Sequence, residues 1–400
     1  MARGEARPCG KRGAGPVKIL HTVHHYHPHI GGCEEVVKSI SERLVGRGHE
    51  VTVATSVEPG RDFTELNGVT VEQFDLSGNT ARYRGIRGDG RAYVDFVLGG
   101  EWDVVLNYAS QTWCSDLLFP HLPEIEAVKV YVPVGYSHLY KRKYGEYYRN
   151  LPGYLRQYDH LIYMSPDCRE REFGDIHGIS HYSVIPNAAS EEEFSREPLG
   201  FRERYGVGDS FLLLCVANFD PVKRHGFVRE AFLELKDDAY TLVFIGNSLA
   251  GGRRKLLNPY YARTRILGLL PPRIKILENL GRPWVVSAIQ EADILLLGSL
   301  FEGGCPPLVI AEAMASGTPF VSANCGGVED YSGYGVIVEH PGEMAAAVKE
   351  LRLDEERRTA MGEAARVFWR ENLTWDIVAG RYEELYERLL QRRRSGQSPT

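Results

Sequence analysis

No apolar run in these 400 residues approaches the ~18 needed to span a bilayer. The seven cysteines (9, 33, 114, 168, 215, 305, 325) are scattered and form no Cys-x-x-Cys pair. That argues against a disulfide framework and a structural zinc site, and fits a reducing cytosol. Excess positive charge is missing as well. The formal net charge is −6, so the overall balance gives no support to non-specific nucleic-acid binding. No Gly-x-Gly-x-x-Gly joins a strand to a helix, which argues against a dinucleotide oxidoreductase, and no repeat of fixed period occurs. Residues 1–16 are basic but lack an apolar h-region, so they read as a flexible tail rather than a signal peptide.

What is present is 43% hydrophobic residues, enough for large cores, in a length that suggests two domains. The organising stretch is 294–330. Residues 294–297 are an unbroken apolar run, the mark of a strand buried on both faces of a parallel sheet. A Gly303-Gly304-Cys305-Pro306-Pro307 loop follows, and both prolines suit the first turn of a helix. Gly317 is placed to end that helix, and Pro319 to stop it. Residues 320–322 read as the next strand. Loops at the carboxyl ends of such strands are where open α/β sheets bind ligands. Glu312 lies among Leu308, Val309, Ile310, Ala311, Ala313, Met314 and Ala315. An unpaired carboxylate there costs several kcal/mol, so a fixed partner is expected, and the hydroxyls of a sugar or ribose suit.

The N-terminal third shows the same grammar. Residues 17–23 read as a strand, 50–55 as a second, with a helix between them that follows Gly31-Gly32. Glycines just before a helix let backbone N–H groups approach an anion. Histidines at 21, 24, 25, 27 and 29 invite a metal reading. Alternation would place 25, 27 and 29 on one side, poor geometry for tetrahedral zinc without distant ligands, so no metal is expected.

Phe301-Glu302-Gly303-Gly304 with Glu312-Ala313-Met314-Ala315-Ser316-Gly317-Thr318-Pro319 resembles the donor-site signature of the retaining family 4 glycosyltransferases (glycosyl transferases group 1), which have the GT-B fold. Pro28-His29-Ile30-Gly31-Gly32-Cys33-Glu34 and Arg47-Gly48-His49-Glu50-Val51-Thr52-Val53 resemble the family's N-terminal hallmark. The resemblance implies that Gly31 and Gly32 face the donor diphosphate, that Gly303, Gly304 and Leu308 border the donor, and that Glu312 meets the ribose. Lys223 is retained where relatives carry a phosphate-binding Lys, whereas Asn218 stands where they carry Arg. Lys223 and Glu302 are the implied catalytic groups. Nine residues separate Glu302 from Glu312, two more than the family usually has. Leu280 lies in the loop implied to hold the base by backbone contacts, which leaves uracil, guanine and adenine open. His29 and His138 are implied on the acceptor side. No Asp-x-Asp occurs, so the divalent-metal motif of the other major glycosyltransferase fold is missing.

Further strands are expected over 102–107, 128–134, 160–164, 210–216, 241–246 and 274–277, with a helix opened by Ser165. Residues 253–273 read as a basic helix-plus-loop excursion. Residues 136–158 mix seven tyrosines with Lys141, Arg142, Lys143, Arg149 and Arg156. That mixture suits an anionic membrane surface or a polyprenyl-phosphate acceptor, and equally a solvated helix whose tyrosines pack inward.

The expectation is α/β: two facing Rossmann-like domains, 17–190 on the acceptor side and 200–375 binding the nucleotide sugar. A helix at 376–391 crosses back to the first, and 392–400 is a tail. The implied activity is metal-independent transfer of a sugar, with retention, from a nucleotide-diphosphate sugar to a hydroxyl of a glycan, lipid-linked or small-molecule acceptor. No cofactor beyond that donor substrate and no nucleic-acid partner is expected. The expected setting is cytoplasmic, with peripheral contact at the inner face of the membrane as a further option. Two alternatives stay open: a non-catalytic nucleotide-sugar-binding subunit, and an epimerase or phosphorylase of the same fold.

Overall fold

The computed structural model describes residues 15–81, 85–248, 262 and 273–396. The first ten strands are β1 Lys18–Thr22, β2 Glu50–Ser56, β3 Glu65–Leu66, β4 Val69–Phe74, β5 Ser77–Gly78, β6 Ile86–Arg87, β7 Val104–Tyr108, β8 Val128–Val132, β9 His160–Tyr163 and β10 Tyr182–Val184. Eight of them form one sheet in the order β10-β9-β8-β7-β1-β2-β4-β3, parallel except for the β3–β4 pair. The remaining strands are β11 Phe211–Val216, β12 Tyr240–Ile245, β13 Ile274–Leu277, β14 Ile294–Leu297, β15 Phe320–Ala323 and β16 Val336–Val338. They make an all-parallel sheet in the order β13-β12-β11-β14-β15-β16.

Both sheets reverse their strand order beside their first strand: β1 lies between β2 and β7, and β11 between β12 and β14. Such switch points open a crevice at the carboxyl ends of the strands, and the two crevices face each other. The central strands carry the apolar runs that parallel sheets covered on both faces require; β7 and β14 are buried along their whole length. One apolar cluster joins the two units, from Ile19, Val53 and Leu106 through Leu214 and Leu297 to Trp375 and Tyr382.

The C-terminal helix Trp375–Arg394 returns to the first sheet. Arg47 reaches Asp376 and Glu383 at 2.9 Å each, and His49 reaches Glu383 at 3.0 Å. Beneath these pairs, the buried His21 Nε2 lies 3.1 Å from Tyr386 Oη. The helix continues past the expected end at 391, and takes Arg392, Arg393 and Arg394 into its last turn, where cations complement the negative helix end. A tail therefore begins only after Arg394 among the described residues.

Two further expectations change. No helix opens at Ser165; it starts at Arg169. Ser165 Oγ instead accepts from Asp167 N at 2.9 Å and donates to Asp330 Oδ2 at 2.8 Å, tying the two units together. The helix after the double proline is Leu308–Ser316, with Pro307 capping it rather than lying inside it. Of the seven tyrosines in 136–158, only Tyr140 is exposed; Tyr136, Tyr144, Tyr148 and Tyr158 are buried in the first unit's core. The stretch 253–273 lies, apart from Ala262 and Arg273, outside the described residues.

Candidate active site

The facing crevices enclose a cleft of about 410 Å³. Its first wall comes from the loop after β1, where Gly31 is extended and the helix Gly32–Gly46 begins. The second comes from the loops after β11 and β14. A Cβ built on Gly32 would stand 3.9 Å from Leu308 Cδ1, so the starts of the helices Gly32–Gly46 and Leu308–Ser316 meet across the cleft. Each start presents unpaired backbone N–H groups and the positive end of a helix dipole to one space.

Lys223 ends a turn, Pro221–Lys223, that Asp220 caps by accepting from Val222 N at 2.8 Å. Its Nζ lies 2.6 Å from both Oε1 and Oε2 of Glu302, and Ser299 Oγ donates to the same Oε1 at 2.5 Å. Glu302 thus serves as a clamp on Lys223. Arg224, at φ +42°, turns away, donating to the carbonyls of Gly298 and Ser299. Asn218 lines the cleft, and its Oδ1 accepts from Asn247 N at 3.2 Å.

Glu312 is buried, and burial pushes its carboxyl above the usual range while Arg282 opposes that shift. Arg282 Nη2 lies 2.7 Å from Glu312 Oε1 and 2.7 Å from Glu193 Oε2. Burial disfavours the charge on Arg282, but the two carboxylates outweigh it and hold the guanidinium above its ordinary range. The partner that the apolar helix demanded is therefore a side chain, and sequence reading did not single it out. No local signal could have: Arg282 follows an ordinary glycine at the start of another helix.

Gly303 and Gly304 also line the cleft. A Cβ on Gly304 would fall 2.4 Å from Asn187 Nδ2, so only glycine lets this loop pass the first unit. Asn187 holds the loop there, its Nδ2 donating to Pro306 O at 3.0 Å and its N to Cys305 O at 2.8 Å. Glu34, within the first motif, also borders the cleft, with its carboxyl raised by burial.

Three expected residues are not among those that line this space. Leu280 is half-buried against the apolar cluster that joins the units, though its neighbour Asn279 donates its N–H to Asn247 Oδ1 at 2.8 Å. His138 ends a 3-10 turn over 136–138 and stacks on Tyr144 at 4.6 Å. His29 stacks on His25 at 4.2 Å. None of the three borders the cleft.

Residues 201–368 match the family described as Glycosyl transferases group 1. The chain is similar to the D-inositol 3-phosphate glycosyltransferase of Corynebacterium diphtheriae, 34% identical over 34% of this chain and 32% of that protein. The chain thus spans about a third of that relative's length in the matched stretch. Among solved structures it resembles sucrose-phosphate synthase from Thermosynechococcus elongatus, with TM-score 0.76 and 16% identity over 94% of this chain and 99% of that one. Anabaena HepE, in complex with UDP-glucose, gives TM-score 0.72 and 18% identity over 92% and 99%. At such identities the likeness establishes the fold, which is GT-B.

Proposed function

Since residues 201–368 match the glycosyl transferases group 1 family, we propose that this chain transfers a glycosyl group, with retention and without a metal, from a nucleotide-diphosphate sugar to a hydroxyl acceptor. The observation that carries this reading is the meeting of two helix N-termini, at Gly32 and Leu308, in one cleft with Lys223. The departing group of such a donor is a diphosphate, and its negative charge grows as the bond from the anomeric carbon breaks. Preorganised N–H dipoles and an ammonium group stabilise that charge without reorganising during the step. The acceptor oxygen forms the new bond on the face that the diphosphate leaves, and its proton passes to the departing phosphate oxygen. Glu302 holds Lys223 in line and borders the space for the sugar, while Glu312 offers its second carboxylate oxygen to the ribose.

Nucleoside diphosphate release, measured across a panel of nucleotide sugars that includes UDP-glucose, tests the proposal. The acceptors to pair with it are glycans, lipid-linked saccharides and small polyols. A donor that binds and stabilises the fold but is never turned over with any of them supports the second reading, a binding subunit. That reading rests on Asn218, a neutral residue committed to Asn247 where relatives place a cation.

A cytoplasmic setting with peripheral contact to an anionic membrane belongs to the same proposal. Among the described residues no helix is long and apolar enough to cross a membrane. With most tyrosines of 136–158 packed inward, such a contact would fall to the exposed Tyr140, Lys141, Arg142 and Lys143.

A further inference from the structure

Outside the cleft, two histidines of the loop after β1 converge with a glutamate of the loop after β2. His25 Nδ1 lies 3.2 Å from Glu58 Oε2, and His29 Nδ1 lies 3.5 Å from Glu58 Oε1. One nitrogen from each ring and one carboxylate oxygen all fall within 4.8 Å of one another. From this geometry we propose that His25, His29 and Glu58 form a binding site for a divalent transition metal of the zinc class.

The distances suit that ion. Metal–nitrogen and metal–oxygen bonds of about 2.0–2.1 Å in a tetrahedron put the ligand atoms about 3.3 Å apart. The two rings approach different oxygens of Glu58, at 3.2 and 3.5 Å, and with one atom from each residue within 4.8 Å of the others, small side-chain rotations bring the three ligands to that edge. Two imidazoles and one carboxylate make a ligand set that zinc uses where a fourth position stays open to water. The alternating spacing of the histidines looked unsuitable because it required a distant ligand; the fold supplies one 29 residues beyond His29, and it recruits 25 and 29 while His27 turns toward Phe63.

One feature separates this cluster from an ordinary surface ion pair. The rings of His25 and His29 stack at 4.2 Å and 15° beside a single carboxylate, so two potential cations share one anion. His121 and Glu124, by contrast, form a simple pair at 2.7 Å. The three side chains are 34%, 38% and 19% exposed, so an ion has a path in and the rings have room to rotate onto it.

The bound ion would join the loop carrying Gly31 and Gly32 to the loop after β2, and so stiffen one wall of the cleft. None of the three ligands lines the cleft, and the site rests on its own side-chain geometry rather than on the transfer assignment.

Calorimetric titration of the chelator-stripped protein with zinc chloride tests the site. Wild type should bind one equivalent, and His121→Ala should bind it equally well. Since disturbing even the outer partners of a metal site costs about 10–100-fold in affinity, removing a ligand by Glu58→Gln should cost at least tenfold. The double change His25→Ala, His29→Ala should abolish the equivalent. Zinc should raise the melting temperature of wild type and not of the double variant. Cobalt(II) substituted into wild type should show the visible absorption of a low-coordinate nitrogen–oxygen site, absent from the double variant. This last reading needs only that the wild type fold. Unchanged zinc affinity in both variants, no binding to wild type at micromolar free zinc, or a six-coordinate cobalt spectrum insensitive to Glu58→Gln would each overturn the site.

Discussion

Lys223 and Glu302, 79 positions apart in the chain, form the closest charge pair of the cleft: Nζ lies 2.6 Å from both carboxylate oxygens. A hydrogen-bonded charge pair that is partly withdrawn from water is stronger than an exposed one, and its value lies as much in orientation as in energy. Glu302 also accepts from Ser299, so the carboxylate is itself fixed.

Glu302→Gln should leave the bare nucleoside diphosphate bound nearly as tightly as in wild type, because the change removes a negative charge from beside the phosphates. Turnover should fall, since Lys223 loses its anchor. Lys223→Ala should weaken the nucleoside diphosphate by roughly ten- to a hundredfold, the equivalent of about 1.5–3 kcal/mol for a charged hydrogen bond. Calorimetric titration of both variants decides the order; a larger binding loss in Glu302→Gln than in Lys223→Ala contradicts it.

Glu312→Gln should weaken nucleoside diphosphate binding by roughly tenfold or more, while inorganic diphosphate, which has no ribose, binds as in wild type. The comparison separates a ribose contact from general damage to the Arg282 network, which would weaken both ligands. Equal affinity of wild type and variant for the nucleoside diphosphate sinks the ribose assignment.

Transfer should survive EDTA. Lys223 and two helix N-termini face the space proposed for the diphosphate, and the His25–His29–Glu58 cluster does not border it. The assay is initial rate with and without chelator. Complete loss of turnover that Mg²⁺ or Mn²⁺ restores would show that a cation carries the leaving-group charge.

Burial lowers the pKa of His21 to about 3 and those of His160 and His225 to about 4. An unfolded chain takes up these protons near pH 6.5, the folded chain only far lower. Each histidine therefore contributes stability above pH 6.5 that is lost as pH falls toward the folded values. Asp116 and Glu170, raised by burial to about 6 and about 7, act in the opposite sense over part of the same range. The slope of melting temperature against pH between 6.5 and 4 should thus be shallower in His21→Gln than in wild type. A parallel profile, merely displaced, would mean that His21 charges without cost in the folded state.

The sequence by itself determined the class of fold, because that information is local. Apolar runs at 294–297 and 211–216 admit little but buried parallel strands, and glycine and proline mark where each loop turns. The motifs around Gly31-Gly32 and Glu312 also placed the helix starts that border the cleft. Pairing is another matter. Glu312 demanded a partner, but only the packing of the helix Arg282–Glu291 beside Leu308–Ser316 chose Arg282. The two-residue excess between Glu302 and Glu312 left Glu302 without an assigned contact, until the turn after β11 brought Lys223 to it. His29 and His138 read as acceptor-side groups, and tertiary contacts drew one to His25 and Glu58 and the other to Tyr144. Backbone preference and hydrophobic period act over a few residues, whereas a charge is satisfied by whichever group the folded chain carries within about 4 Å of it, however far away in sequence.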